Sequence, residues 1–428
     1  MVRNINKDDI KNFILLVLQR LWLTLELFNK NGLMNHAAAC AYGFLLSSAP
    51  ALLFIAFIIS RILSVSPDAL EYMLEHVDMM LGVFNFKNHI INFLSYSSSG
   101  IAGVVSVLII FWTTRLCALS IQRGLGVVFS GTRSILKNNA ITIGLGLLAM
   151  FIILIALIGT RAVIILFNSF EFLSIIAIAP FINISARLFF IFSLALIAAA
   201  AYRFYPSKKQ RLKYIAVGVI ACIALYLVFA AGFAVIIGPE RYNLIYGALG
   251  RLFLFLINIY FFFVFFFFGG QLINVLSFSD EMLFIRLRQV YLKGYQPKNY
   301  FDKLFATLTK PLKKYHKIYK KGEPVFKINS RCMEVYYILS GKAGVYIDSE
   351  FNKRISYVDE YNFFGEMASI TSDERAASIK AETDLSVLVL PPAVFRVILQ
   401  LDPNIDQSLI KILSEQLKSA NQQFLSDN

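Results

Sequence analysis

Six apolar runs, each about as long as a bilayer-spanning helix, constrain this chain more than any other feature of its sequence. A helix needs roughly 20 consecutive apolar residues to cross the hydrocarbon core of a membrane. Because that core offers no partner to an open backbone, each run is predicted to be a helix rather than a strand. The predicted spans are residues 37–63, 100–121, 140–167, 184–202, 214–238 and 245–276.

Composition and charge agree with a six-helix membrane bundle. Hydrophobic residues make up 57% of the 428 residues and charged residues only 16%, whereas soluble domains carry about 25% charged residues. A single soluble globule, a disordered chain and a collagen-like fibre are therefore excluded. The net charge of +14 (41 Lys and Arg against 27 Asp and Glu) has to be placed outside the spans.

The connecting loops predict the orientation of the bundle. Basic residues concentrate in 3–30, 123–137 and 203–213, whereas the alternate loops at 68–87 and 171 are mainly acidic. The positive-inside rule then predicts a multi-pass protein of the cell inner membrane with both termini in the cytoplasm. The juxtamembrane positive charge is expected to face anionic lipid, and it does not require a nucleic-acid partner.

The N-terminal segment does not have the pattern of a cleaved signal peptide. Asp8 and Asp9 interrupt its basic region, and no small-residue cleavage site follows the apolar stretch. Residues 13–28 instead predict an amphipathic helix that lies on the inner membrane surface, with Trp22 at the headgroups.

The first and last runs carry motifs that resemble a known family. Residues 36–50 read HAAACAYGFLLSSAP, and residues 246–250 read YGALG, followed by Tyr260 and by GQLIN at 270–274. These motifs are similar to those of the BrkB/YihY membrane proteins, over about residues 10–278. The resemblance implies a transporter-like or envelope-related protein, and an older family label implies a ribonuclease. Gln271 stands where that family usually has Glu, so no role of a carboxylate is carried over.

The chain offers little for metal-assisted hydrolysis. That chemistry needs clustered His and carboxylate ligands, but the four His residues form no HxH or HxxxH pair. We therefore expect no enzyme activity, no metal and no cofactor. The four Cys residues contain no CxxC pair, and they are predicted to be small apolar fillers of the core.

Arginines inside the spans are candidates for a substrate path. Four of them come from four different spans yet lie near the outward ends, and Arg115 lies deeper. Guanidinium groups bind phosphate and carboxylate, which predicts an anionic solute or lipid as substrate. The alternative is that these side chains only reach to the headgroups. The predicted path consists of His36, Tyr42, Ser47, Arg61, Arg115, Arg161, Arg187, Arg251 and Asn258.

The composition changes at about residue 279, where apolar sequence gives way to mixed charge. We predict a membrane domain over 1–278, a helical linker over 279–299 and a cytoplasmic α+β domain over 300–428. Helices are expected at 281–291, 300–319 and 402–424, around a small β-sandwich or roll. Its predicted strands are 325–326, 335–339, 343–348, 378–381 and 386–390.

This second part resembles a cyclic-nucleotide-binding domain over about residues 300–424. Three segments carry the resemblance: Lys321 to Glu323 with Phe326, YILSG at 337–341, and FGEMASITSDERAAS at 364–378. The last is similar to the phosphate-binding cassette of that family. The implied binding residues are Phe364, Gly365, Glu366, Met367, Ala368, Arg375, Ala376, Ala377 and Ser378.

Physical chemistry supports that assignment. Gly365 allows close backbone approach to an anion, Arg375 can form a charge-assisted bond to a phosphate, and ionised Glu366 can accept from a ribose hydroxyl. Ala376 favours cAMP over cGMP as the regulatory ligand. Residues 372–374 and Asn329 depart from the family pattern, so a β-roll kept only for packing stays open.

We expect a transporter regulated by cyclic nucleotide, with the bilayer and the nucleotide as partners. The alternative is a membrane scaffold or sensor that acts on envelope partners, and a homo-oligomer is left open. The chain ends soon after the predicted terminal helix, which argues against a helix-turn-helix transcription factor. No span repeats Arg every third residue and no TxGYG filter is present, which argues against a cyclic-nucleotide-gated channel.

Overall fold

The computed structural model describes residues 7–46, 115, 118–129, 144, 179–236 except 208, 239–292 and 300–405, with 407, 410 and 414. The chain divides into two compact units. One combines residues 1–23 with residues 278–428, and the other comprises residues 24–277. The sequence-based boundaries placed residues 1–23 in the membrane domain, whereas here they are grouped with the last third of the chain.

In the described residues of 24–277, all regular secondary structure is helical. Two helices, Leu212–Ile236 and Leu252–Ser277, have the length and composition of a membrane span within the described part of the chain. The first three predicted spans lie largely outside the described residues, so the six-helix bundle stays a prediction. From the N-terminus to Ser277, the described helices are Lys7–Lys30, Leu33–Leu46, Ala118–Phe129, Ala179–Phe204, Leu212–Ile236 and Pro239–Ser277.

Glycines let the last two of these helices approach closely. A Cβ atom at Gly218 would lie 2.8 Å from the Gly269 carbonyl oxygen and would overlap the side chain of Ile273. A Cβ atom at Gly269 would in turn lie 2.6 Å from the Gly218 carbonyl oxygen. Small residues at helix interfaces are typical of membrane proteins, where tight packing holds helices together. Aromatic rings extend the same contact, because Phe229 and Phe261 stack with centroids 4.2 Å apart.

Several buried polar side chains in this unit bond to neighbouring helices. The Asn274 side chain donates to the Val128 carbonyl at 2.8 Å, and Tyr202 donates to the carbonyl of Phe266. Gln271, which is fully buried, accepts a hydrogen bond from the Asn31 amide at 3.3 Å. A neutral amide can be buried with one such bond at far lower cost than the carboxylate that the family usually has here.

Residues 316–390 form a roll of two four-stranded antiparallel sheets, as predicted. The first sheet has the order β1-β8-β3-β6 and the second the order β2-β7-β4-β5. Their inner faces enclose a core that includes Tyr336, Phe364, Ile379 and Val387. The strands are β1 His316–Tyr319, β2 Pro324–Phe326, β3 Val335–Ser340, β4 Ala343–Tyr346, β5 Arg354–Val358, β6 Phe363–Phe364, β7 Ser378–Ala381 and β8 Leu385–Leu390.

Some predicted elements of this part were wrong. The helix expected over 300–319 is divided into Tyr300–Ala306 and Lys310–Lys313, and the segment then becomes strand β1, which pairs with β8. Strands β5 and β6 and the helix Pro392–Leu401 were not predicted. The helix predicted over 402–424 lies mostly outside the described residues.

Two further helices contribute to the same unit, one packed on the roll and one bonded to the segment that precedes it. The helix Ser279–Leu292, hereafter the linker helix, matches the helix predicted at 281–291, and its Phe284 contacts Tyr337 and Phe363. The helix Lys7–Lys30, hereafter the N-terminal helix, contributes Gln19. The Gln19 amide donates to the Leu304 carbonyl at 2.8 Å and accepts from the Thr309 hydroxyl at 3.0 Å.

Candidate functional site

The cassette begins where strand β6 ends. Gly365 has φ +76° and precedes the helix Glu366–Thr371, hereafter the cassette helix. A Cβ atom at Gly365 would lie 2.5 Å from Nη1 of Arg375. Glycine is therefore required at this position for two reasons: the left-handed conformation and the small space beside the arginine.

Arg375 lies in the middle of the site and is only 2% exposed. Its Nη1 donates to the Gly365 carbonyl at 2.5 Å, and its Nη2 donates to the Glu334 carbonyl at 2.6 Å. The guanidinium also lies over the Phe326 ring, 4.1 Å from its centroid, and 5.8 Å from the Tyr336 centroid. Main-chain oxygens and aromatic faces thus hold the cation.

The backbone on either side of Arg375 is fixed by a turn at Asn329. The Asn329 amide donates to the Arg375 carbonyl at 2.9 Å, and the Arg375 amide donates to the Ser330 carbonyl at 3.1 Å. Asn329 has φ +61°, so it adopts the left-handed conformation expected of the residue that replaces the family glycine. Ser378 is fully buried, and its hydroxyl accepts from the Ile328 amide at 2.9 Å.

Two carboxylates in the site differ in their electrostatics. Glu366 is 7% exposed, and its burial raises its pKa, although its own backbone amide and Arg375 oppose that shift. Glu334 has a lowered pKa, chiefly because the Cys332 thiol donates to its carboxylate at 2.5 Å. Of these two carboxylates, Glu366 is therefore the one whose pKa is shifted toward neutral pH.

The rim of the site contains both apolar and charged residues. Ala376 is exposed, Ala377 is half-buried, and Met367 at the start of the cassette helix is exposed, whereas Phe364 and Ala368 are buried. Glu374, which was expected to place negative charge beside Arg375, forms an ion pair with Arg331 at 3.3 Å. Ser372 ends the cassette helix with φ +63°, at the position where the family usually has glycine.

Sequence reasoning missed part of the surroundings of Arg375. Cys332 was predicted to be an apolar filler, which is wrong, because its sulfur lies 3.5 Å from Arg375 Nη2 and is partly exposed. Cys40 and Cys222 are buried as expected, and Cys117 lies outside the described residues. The aromatic platform of Phe326 and Tyr336 could have been found from the alternation of strand β3, which turns Tyr336 inward and Tyr337 outward.

The residues of the predicted substrate path are only partly described. His36 is half-buried with its ring 6.5 Å from that of Phe267, Tyr42 is exposed, and the Asn258 amide bonds to the Leu254 carbonyl of its own helix. Arg115 is helical and exposed. Ser47, Arg61 and Arg161 and the side chains of Arg187 and Arg251 lie outside the described residues, so the path stays a prediction.

Among the residues that the structure describes, no cluster of three or more His, Cys, Asp or Glu side chains has the arrangement of a metal site.

Helices of membrane-spanning length and composition joined to a β-roll of two four-stranded sheets define a class of protein: a membrane-associated helical part fused to a β-roll domain. Residues 24–281, more than half of the chain, match the family "Virulence factor BrkB". The chain belongs to the BrkB virulence factor family. Residues 316–402 match the cyclic nucleotide-binding domain, so the chain is a fusion of the two, as the motifs predicted.

Individual relatives share only part of the chain. A protein of Rhodopseudomonas palustris (strain ATCC BAA-98 / CGA009), whose name describes it as a potassium channel protein, is 29% identical over 94 residues, which are 22% of this chain and 23% of the relative. The chain therefore spans about a quarter of the length of that relative.

Solved structures match between a quarter and a third of the chain. The catabolite activator protein of Thermus thermophilus is 22% identical over 26% of this chain and 52% of its own, with a TM-score of 0.24. A structure titled as the second cyclic-nucleotide domain of PKAR with bound Sp-2Cl-cAMPS is 23% identical over 33% of this chain and 91% of its own, with a TM-score of 0.24.

Proposed function

We propose that this protein is an integral membrane transporter of an anionic solute or lipid, regulated by a cyclic nucleotide that binds at residues 364–378. The observation that carries the regulatory part is the pairing of Gly365 and Arg375. The left-handed glycine and the buried guanidinium contact each other directly at 2.5 Å, within the sequence pattern of a cyclic nucleotide-binding domain. The preferred ligand in this proposal is cAMP.

Arg375 retains donors for a phosphate in its observed position. A guanidinium has five N–H donors. Three of them bond to the Gly365 carbonyl, the Glu334 carbonyl and the Cys332 sulfur, so Nε and one Nη1 donor remain. Nε has no hydrogen-bond partner among the described residues, and it is buried. Because so little of Arg375 is exposed, we expect nucleotide entry to require a rearrangement of the cassette helix relative to the Phe326 and Tyr336 platform.

The strands beside the cassette offer a route from the nucleotide to the linker helix. Successive side chains of a strand point to opposite faces, so Tyr336 and Phe364 face Arg375 while Tyr337 and Phe363 face the linker helix. Phe284 contacts both outward rings, and Arg288 lies over Phe363, 5.7 Å from its centroid. A movement of the cassette therefore displaces Tyr337 and Phe363, the rings that Phe284 of the linker helix contacts. The linker helix begins at Ser279, two residues after the apolar helix Leu252–Ser277 ends.

Binding of cAMP should depend on pH through Glu366. In this proposal, the ionised carboxylate accepts a hydrogen bond from the ribose 2′-hydroxyl, so affinity is highest above the pKa of Glu366 and falls as pH drops through it. Because burial raises that pKa, the fall should begin closer to neutral pH than an ordinary glutamate would allow. The measurement is the dissociation constant of the full-length protein in nanodiscs from pH 8 to pH 5.

Glu366→Gln supplies the control for that pH dependence. The amide has the shape of the carboxylate but does not titrate, so its affinity should be lower at pH 8 and almost flat over the same range. A hydrogen bond to a charged group contributes about 1.5–3 kcal/mol, which corresponds to about a tenfold or larger loss at pH 8. An unchanged pH profile in Glu366→Gln would assign the titration to another group.

The choice between cAMP and cGMP is expected to depend on position 376. Ala376 is exposed at the rim of the cassette, where a threonine hydroxyl could accept from the guanine amino group. Ala376→Thr should therefore raise cGMP affinity relative to cAMP severalfold, with Ala377→Thr as the neighbouring control. Competition binding of both nucleotides measures the ratio. Equal ratios in wild type and Ala376→Thr would place base recognition elsewhere.

Transport distinguishes this proposal from the alternative of a scaffold or sensor. The experiment is uptake of candidate anions and scrambling of anionic lipids in proteoliposomes, with and without cAMP. A transporter should show flux that changes with cAMP in the wild type and not in Arg375→Ala. Flux that is absent for every tested anion, together with intact cAMP binding, would favour the sensor.

The predicted substrate path can be examined in the same assay. Replacement of Arg61, Arg161, Arg187 and Arg251 by Lys keeps the charge but removes the planar fork that binds phosphate or carboxylate bidentately. We expect these variants to lose flux at matched abundance, and Arg115→Gln to lose it as well. Full flux in all four Lys variants would mean that these side chains only reach to the lipid headgroups and do not bind substrate.

A further inference from the structure

The N-terminal helix has an exposed apolar face. Its side chains recur every three or four residues, so they lie along one side of the helix, and Phe13 is the most exposed of them at 66%. The members of this stripe are Ile10, Phe13, Ile14, Val17, Leu18 and Leu21. An apolar surface of this length is costly to leave in water, which makes a covering partner necessary.

The opposite side of the helix is fixed to the β-roll unit. Gln19 is buried, and both ends of its amide are bonded, to Leu304 and Thr309. Leu23 is buried on the same side, and Arg20 bonds to the Ser279 hydroxyl at 3.0 Å. Rotating the helix to bury the stripe would leave the buried Gln19 amide unpaired, which is unfavourable. The stripe therefore faces away from the unit.

We propose that this stripe docks on a lipid bilayer surface that contains anionic lipid, and so attaches the β-roll unit to the membrane. The helix continues without a break to Lys30, past residue 24, where the match to the BrkB family begins. Residues 7–23 lie outside both matched domains. Their apolar face is thus continuous in one helix with the membrane-associated part of the chain.

Charge and width favour lipid over a second copy of the chain. Lys11 is exposed beside the stripe, and basic residues beside an apolar helix face are typical of interfacial helices. Ile10, Ile14, Val17 and Leu21 alone would suit a coiled-coil seam, but Phe13 and Leu18 stand at the flanking positions where such a seam carries charge. The broad apolar face matches an interfacial helix better.

Spin labels on the full chain in nanodiscs test the docking. In a background with Cys40, Cys117, Cys222 and Cys332 replaced by Ala, labels are placed at Ile14→Cys, Leu18→Cys and, as a water-exposed control on the roll, Asn352→Cys. We expect molecular oxygen to reach labels 14 and 18 better than a polar nickel reagent does, and the reverse at 352. Depth should increase when phosphatidylglycerol is added to phosphatidylcholine discs, and less so in Lys11→Gln.

Other outcomes would overturn the proposal. Nickel access at positions 14 and 18 equal to that at 352 would place the stripe in water. Low access of both reagents, with spin–spin broadening that disappears on dilution with unlabelled chain, would assign the stripe to a second copy. Equal depth in both lipid mixtures would remove the anionic preference. If the cysteine-free chain does not fold, the photocrosslinker benzoylphenylalanine is placed at position 14 in the chain with its native cysteines. We then expect a crosslink to lipid, and a crosslink to protein alone would refute docking.

Discussion

Replacement of Arg375 by Ala should reduce the cAMP affinity of the full-length protein by about tenfold to a hundredfold. This factor corresponds to the roughly 1.5–3 kcal/mol of a hydrogen bond to a charged group, at about 1.4 kcal/mol per factor of ten. Arg375 is also the only charged side chain within hydrogen-bond reach of the Gly365 carbonyl among the described residues, so the variant removes both the cation and the contact that holds the cassette. Calorimetry in nanodiscs measures the change.

Matched variants separate lost binding from lost structure. Arg331→Ala removes an arginine of the same domain whose ion pair with Glu374 is largely exposed, and an exposed pair contributes little, so its affinity should stay within about twofold of wild type. Arg375→Lys keeps the charge, but an ammonium cannot bond both the Gly365 and Glu334 carbonyls in the planar geometry of the fork. Melting of each variant without nucleotide reports stability. Wild-type affinity in Arg375→Ala would mean that the anion binds elsewhere.

The position of Arg375 illustrates where sequence reasoning stops. The motif at 364–378 predicted which residue types meet, and the left-handed turn at Asn329 followed from the physical chemistry of asparagine. The direction in which the guanidinium points depends on competing acceptors far apart in sequence, the carbonyl of Glu334 and the rings of Phe326 and Tyr336. Tertiary packing decides which of these acceptors the guanidinium contacts, and the local sequence pattern does not predict that choice.

The errors in the β-roll have a related cause. Residues 316–319 were predicted to end the helix over 300–319, but this segment pairs with β8 along its full length. Strand β6 is two residues long, which is too short for any alternation to be visible in the sequence. Strand β5 has a largely exposed pattern, so it lacks the apolar period that identifies a strand. Tertiary pairing overrides local preference in each case.

The N-terminal helix shows the same limit at the level of the domain. Its amphipathic pattern was evident from the sequence, and the predicted range 13–28 lies within the observed Lys7–Lys30. Its attachment to the β-roll unit depends on one buried amide, Gln19, and on two partners almost 300 residues away. A polar residue in an apolar helix gives no indication of which distant carbonyl it bonds.

Gly218→Leu is expected to abolish correctly folded protein. The first added atom, Cβ, would lie 2.8 Å from the backbone oxygen of Gly269 and would overlap Ile273, and a backbone atom cannot move aside as a flexible side chain can. Overpacking a tight contact typically costs about 1–3 kcal/mol and sometimes more, and the helices must separate to admit a leucine. That penalty exceeds the roughly 1 kcal/mol that replacing glycine gains in helix propensity.

Gly232→Leu is the matched control, because it is the same substitution in the same helix. A Cβ atom at Gly232 would meet nothing within 4 Å, so only the favourable propensity change remains, and the variant should be as stable as wild type or slightly more so. Yield and melting temperature in detergent, read by fluorescence-detected size exclusion, compare the two variants directly. A Gly218→Leu variant that elutes and melts like Gly232→Leu would show that the glycine contact does not hold these helices together. In that case the aromatic contact between Phe229 and Phe261 would be the next part of the same interface to vary.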